Sequence, residues 1–126
     1  MKTVTLYRPT GPNELELVKQ SGNKRWPPRL PGQPIFYPVL NEEYATLIAR
    51  DWNVRDSGSG FVTRFEVDAD YIQQFDVHIV GGRVCEEYWI PAGQLEEFND
   101  HIVGEITVTK SFYAENGDKQ QWPNRK

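Results

Sequence analysis

The stretch FVTRFEV, residues 61–67, decides the fold. Successive side chains of a β-strand point to opposite faces, so its alternation separates Phe61, Phe65 and Val67 from Arg64 and Glu66. A run of this length, rich in aromatic and β-branched residues, is typical of a strand within a sheet. We therefore predict a strand here and place the other elements around it.

The chain before this strand predicts two helices and two short strands. Asn41 is a natural helix N-cap, because its side-chain oxygen can accept an N–H of the first turn, and its helix is expected to run to about Trp52. Proline loses nothing at a first helical position, so Pro12 opens another helix, which Gly22 ends. The predicted strands cover residues 4–7, ended by Pro9, and residues 35–39.

The chain after it predicts a helical turn capped by Asp68, a β-hairpin, a helix from Pro91 and a last strand over residues 105–113. The hairpin joins residues 77–80 to residues 84–90 through Gly81-Gly82. Short strands with few helices between neighbours favour an α+β fold: a mixed, mostly antiparallel sheet of about six strands with two to three helices. Residues 1–113 are expected to form one domain, and residues 114–126 a polar, flexible tail.

Bulky side chains also occur outside the regular elements. Prolines interrupt residues 23–34, which therefore form a predicted loop, and Trp26 and Leu30 are expected to be buried in it. Trp26 and Trp89 could line either the core or a ligand cleft. The core is the commoner place for such a residue, and we assign both to it.

Composition excludes several classes of protein. The 126 residues carry a formal charge of −4, which disfavours nucleic-acid binding because a phosphate backbone would be repelled. A single cysteine, Cys85, forms no intramolecular disulfide. The sequence contains no apolar run long enough to span a membrane and no signal peptide, so we expect a cytoplasmic protein without membrane contact.

Few residues are candidates for chemistry. The sequence lacks a P-loop, a dinucleotide fingerprint and a nucleophile elbow. His78 and His101 are too few to predict a metal site, and Cys85 has no evident activating partner. Glu86 and Glu87 stand out, because adjacent strand residues face opposite sides and both sides look apolar. At least one of these carboxylates is expected to be partly dry, and it is then paired with an arginine such as Arg64 or Arg8, protonated, or used in function.

Several stretches resemble one family of small bacterial proteins, known as ADP-ribosylation/crystallin proteins. The likeness extends to about Val108 and is carried by residues 6–9 (LYRP), 27–31 (PPRLP), 33–45 (QPIFYPVLNEEYA), 60–67 (GFVTRFEV) and 87–92 (EYWIPA). The resemblance implies a minimal ADP-ribosyltransferase-like fold. In such a fold an Arg on the first strand helps to hold NAD, aromatic residues lie beside the nicotinamide, and a Glu on a late strand is catalytic.

Applied to this sequence, the resemblance assigns nucleotide binding to Arg8 and its neighbour Tyr7. It assigns the aromatic region to Tyr37 and Tyr44, and catalysis to Glu87. Glu87 would stabilise an oxocarbenium-like ribose, with NAD as substrate and no metal. Phe36-Tyr37-Pro38 replaces the family's Ser-Thr-Ser, and Glu86-Glu87 is not the Glu-any-Glu motif, so arginine is disfavoured as the acceptor.

Three functions are compatible with these residues. The first is an ADP-ribosyltransferase or NAD glycohydrolase. The second is a module that binds a nucleotide without turnover. The third is an interaction or immunity-like protein whose acidic, aromatic surface contacts a protein partner.

Overall fold

A computed structural model describes residues 2–80 and 85–114 of the chain. The strands are β1 (Thr3–Thr10), β2 (Ile35–Phe36), β3 (Ser59–Asp68), β4 (Val77–Ile79), β5 (Glu86–Tyr88), β6 (Ile90–Pro91) and β7 (Ile102–Tyr113). The α-helices are α1 (Pro12–Gln20), α2 (Glu42–Ile48), α3 (Val54–Ser57), α4 (Ala69–Ile72) and α5 (Leu95–Asp100). A π-helical turn, Ala49–Asn53, joins α2 to α3, and a 3₁₀ turn, Ala92–Gln94, precedes α5.

The strand predicted from FVTRFEV is the centre of the sheet. β3 pairs antiparallel with β1 on one side and with β7 on the other. Beyond β1, a bridge joins Tyr7 to Val39, a second bridge joins Val39 to Glu87, and β5 then pairs antiparallel with β4. The prediction of an α+β fold with antiparallel pairing is confirmed. The described residues contain seven strands, where about six were expected, and five α-helices, where two to three were expected.

Two apolar clusters cover the two faces of the sheet. On one face Leu6 and Phe65 pack with Trp26, Phe36 and other aromatic rings in the larger core. The rings meet tilted or edge to face, as in the 5.3 Å contact between the centroids of Trp26 and Phe65. On the other face α2 and the π turn place Ala45 and Ala49 against Val39 and Val62. Each face of the sheet therefore has its own core.

We predicted that β1 would end at Pro9, but the strand continues through this residue to Thr10. Alternate residues of an antiparallel strand direct their N–H and C=O groups to opposite neighbours. Tyr7 exchanges two 2.8 Å bonds with Val39, so Pro9 faces that same side, while Arg8 faces β3. The residues before Val39 leave β1 and pair with β6 instead, as Phe36 does with Ile90. The N–H that Pro9 lacks is therefore not needed.

The second helix is longer than predicted. Its start is as expected, because the Asn41 side chain accepts a hydrogen bond from the N–H of Tyr44 at 3.1 Å. It does not end at Trp52, however, but passes through the π turn to Ser57. This turn lies so close to β3 that a Cβ placed on Gly60 would be 2.1 Å from the Ala49 carbonyl oxygen. Only glycine allows this approach.

Several other boundaries differ from prediction. The strand predicted over residues 84–90 is divided at Trp89 into β5 and β6, because Ile90 turns to pair with Phe36. The helix predicted from Pro91 is preceded by a 3₁₀ turn. β2 covers only two residues of the predicted 35–39, and β7 begins at Ile102 and not at residue 105. The predicted Gly81-Gly82 turn and the tail after residue 114 lie outside the described residues.

Candidate functional site

A cleft opens where β1 and the segment before Val39 separate. Its volume is about 470 Å³, within the range of roughly 300–1,000 Å³ that small-molecule sites occupy. One wall comes from α2, and the opposite wall comes from β5 and the residue that follows it. The lining residues are Arg8, Pro9, Tyr37, Val39, Tyr44, Ile48, Val80, Glu87 and Trp89.

Glu87 supplies a buried carboxylate to this cleft. It is directly opposite Val39 in the sheet and only 8 % exposed. Its Oε1 accepts a hydrogen bond from the Trp89 indole Nε1 at 2.8 Å, and its Oε2 accepts one from the Tyr44 hydroxyl at 3.2 Å. Burial, together with the nearby carboxylate, raises the pKa of Tyr44 to about 12, so this hydroxyl remains a donor at neutral pH.

Glu87 is not paired with either arginine that the sequence offered as a partner. Arg8 pairs with Glu14, and Arg64 with Glu66. Within residues 2–80 and 85–114, no Lys, Arg or His nitrogen lies within 4.0 Å of the Glu87 carboxylate. The described part of the chain thus satisfies this carboxylate with neutral donors, and its negative charge is not compensated there by a neighbouring cation.

Arg8 forms the partition between this cleft and a second one. Its Nε and Nη2 both bond the carboxylate of Glu14 on α1, with Nη2 to Oε1 at 3.0 Å. Nη1 donates to the Tyr37 carbonyl oxygen at 3.2 Å, and the guanidinium carbon lies 4.5 Å from the centroid of the Phe36 ring. Arg8 therefore bridges the gap between β1 and the segment before Val39, and it lines both clefts.

The second cleft, of about 490 Å³, is the more polar of the two. Arg29 lines it and donates from Nε to the Ile35 carbonyl oxygen at 3.1 Å. Burial, with a smaller contribution from Arg8, lowers the pKa of Arg29 from its usual value. Amide side chains of Asn13 and Gln33 lie in the same cleft.

Three rings form an aromatic wall beside Glu87. Trp89 stacks on His78, with centroids 3.8 Å apart and an angle of 15° between the planes. Tyr37 meets Trp89 edge to face at 6.0 Å and 89°. Tyr37 and Trp89 are 37 % and 39 % exposed, so both rings keep surface available to a ligand. We call His78, Trp89 and Tyr37 the aromatic wall.

The prediction that Trp89 is a core residue was wrong, whereas Trp26, 2 % exposed, is in the core as predicted. Leu30, expected to be buried, is 66 % exposed. One feature of the sequence indicated that Trp89 lies beside the site. It follows Glu87 by two residues, which puts both side chains on the same face of an extended chain.

The structure brings four of the five proposed site residues, Arg8, Tyr37, Tyr44 and Glu87, to one cleft. The fifth, Tyr7, is not part of its lining; it is partly buried and packs on the cluster around Val39. Of the two adjacent carboxylates, Glu87 is the buried one and Glu86 is partly exposed.

Among the described residues, no group of three or more His, Cys, Asp or Glu side chains could hold a metal ion. In the same part of the chain, no helix has the length and apolar character needed to cross a membrane. Comparison of the chain with protein-family models, with curated proteins and with solved structures found no match to any of them.

Proposed function

We propose that the cleft binds NAD or a related nucleotide and that Glu87 stabilises positive charge on the ribose as the nicotinamide–ribose bond breaks. One observation supports this most directly: a buried carboxylate paired with neutral donors stands beside exposed aromatic rings in a cleft of ligand size. The resemblance to ADP-ribosyltransferase-like proteins, carried by Arg8 and Glu87, suits the same assignment.

The residues present suit each part of such a substrate. The face of Tyr37, or the face of Trp89 that His78 does not cover, offers a stacking surface to the nicotinamide ring. The Glu87 carboxylate can lie near the ribose, where Tyr44 and Trp89 hold it in position. Arg8, which lines both clefts, is the guanidinium that would suit the pyrophosphate.

The bond breaks with its electron pair moving to the nicotinamide nitrogen, which leaves positive charge shared between the ribose C1 and its ring oxygen. A fixed carboxylate stabilises that charge more than it stabilises the intact substrate, and this difference lowers the barrier. Water, or a hydroxyl or amine acceptor, then bonds to C1 and gives its proton to solvent. The chemistry needs no metal and no redox step.

The decisive experiment measures nicotinamide release from NAD by the purified protein and by Glu87→Gln. The substitution keeps the size of the side chain and removes the charge; the amide oxygen can still accept the Trp89 N–H, while the bond with Tyr44 must reverse its direction. We expect release to fall about 10²- to 10³-fold. Glu86→Gln is the matched control, because Glu86 is the neighbouring carboxylate on the opposite face of β5 and should leave release unchanged. Equal loss in both variants, or release that survives Glu87→Gln, would contradict the proposed role.

A second candidate is a module that binds the nucleotide without turnover. Arg8, the charged group that the resemblance assigns to nucleotide binding, already pairs with Glu14, which would suit a site that holds a ligand without reacting with it. In that case NAD raises the melting temperature of the protein but is not consumed.

A further inference from the structure

We propose that the cleft recognises a planar organic cation, of the N-alkylpyridinium class, and that the positive charge itself is the feature selected. This inference goes beyond the proposed function, because it concerns which ligands bind and requires no turnover. It is compatible with NAD, whose nicotinamide ring carries such a charge, but it extends to cations that have no nucleotide.

The first argument is electrostatic. Glu87 is almost entirely buried, and its donors, the Tyr44 hydroxyl and the Trp89 indole, are neutral. A charge in a setting of low dielectric constant interacts with an incoming cation far more strongly than it would in water. Bringing a cation into the cleft therefore compensates a charge that the described part of the chain leaves uncompensated.

The second argument comes from the aromatic wall. His78 covers one face of Trp89, and the plane of Tyr37 is perpendicular to that of Trp89, so Tyr37 and the uncovered side of Trp89 are the surfaces left to a ligand. Glu87 accepts the Trp89 N–H beside them. Aromatic faces attract cations through the ring quadrupole, and quaternary ammonium groups are commonly bound in this way. A flat cation gains ring stacking as well as charge attraction in such a corner.

The third argument is that Arg8, an arginine that lines the cleft, is held elsewhere. Arg8 makes two hydrogen bonds to Glu14 and one to the Tyr37 carbonyl oxygen. These contacts fix its guanidinium at the partition between the clefts and away from the Glu87 carboxylate. Glu14 thus keeps Arg8 from pairing with Glu87.

The experiment is a calorimetric titration of the full chain with 1-methylnicotinamide and with nicotinamide. The two share one ring and one amide, but only the first carries a positive charge. We expect 1-methylnicotinamide to bind at least about tenfold more tightly. Equal affinity, or no binding of either compound, would overturn the proposal. Tetramethylammonium is a third probe, and affinity equal to that of 1-methylnicotinamide would refute the preference for a planar ligand.

Variants identify the groups responsible. Glu87→Gln should remove most of the discrimination between the two compounds, whereas Glu86→Gln should preserve it. Trp89→Leu should weaken 1-methylnicotinamide binding about tenfold; should that variant fail to fold, Tyr37→Leu tests the same wall at a partly exposed position. Discrimination that survives both Glu87→Gln and loss of an aromatic ring would overturn the proposal.

The outcomes also separate this inference from the proposed function. Preference for 1-methylnicotinamide without any nicotinamide release from NAD leaves the cation site standing and removes the catalytic proposal. Nicotinamide release that depends on Glu87, with no preference between the two compounds, supports the catalytic proposal and removes the cation site.

Discussion

Replacement of Gly60 by alanine tests the contact between the π turn and the central strand. An added Cβ would lie 2.1 Å from the carbonyl oxygen and 2.8 Å from the carbonyl carbon of Ala49, and 2.9 Å from the Cβ of Asn53. An ordinary contact with that oxygen needs more than 3 Å, so the backbone of the turn must move about 1 Å away from the sheet. Inserting a methyl group into a packed site typically costs about 1–3 kcal/mol, and the obstacle here is backbone, so we expect about 3 kcal/mol.

This loss should be readily measured. For a chain of this size, 1 kcal/mol corresponds to roughly 4 °C in melting temperature, so Gly60→Ala should melt about 12 °C below wild type. Gly93→Ala is the matched control, because its Cβ would meet no atom within 4 Å, and it should be neutral or slightly stabilising. If Gly60→Ala melts within about 3 °C of Gly93→Ala, the close approach of the π turn to β3 is refuted.

Two further substitutions test the groups around the cleft. Because the pKa of Tyr44 is raised to about 12 from an ordinary 10.0, the folded state holds this proton more tightly, and the resulting stability is present below pH 10 and lost as the pH rises towards 12. The melting temperature of wild type should therefore fall more between pH 10 and pH 12 than that of Tyr44→Phe. An equal fall in the two proteins would contradict this. Arg8→Met should cost about 3 kcal/mol in urea unfolding, because it leaves the Glu14 carboxylate without its partner in a mostly buried place. The double variant with Glu14→Leu should recover most of that loss, and additive losses would show that the pair is not coupled.

Local patterns predicted the elements whose causes are local. The alternation around Phe65 places this residue on the core face of β3, and the Asn41 side chain caps the helix as its chemistry requires. The pairing of β4 with β5 likewise joins two short strands that lie close together in the chain. Glu87 is the buried one of the two adjacent carboxylates, as expected for at least one of them.

Two of the misses depend on partners that are distant in the sequence, whereas the pairing of Arg8 depends on Glu14, which lies close to it along the chain. Pro9 is tolerated inside β1 because the segment before Val39 leaves that edge, and nothing near Pro9 indicates this departure. The exposure of Trp89 has the same origin, because it follows from the turn of Ile90 towards Phe36. Sequence also offered Arg8 as a partner for Glu87, whereas α1 brings Glu14 to the guanidinium first.

The backbone row Tyr7–Val39–Glu87 joins three segments that lie far apart along the chain. Each link closes a loop of more than thirty residues, and the entropy of closing such loops is recovered only when the links form together. The ligand site is consequently a property of the assembled sheet, and a fragment that ends before β5 would not reproduce it. Ligand binding should vanish in step with global unfolding, which makes it a sensitive report on whether a given variant has folded.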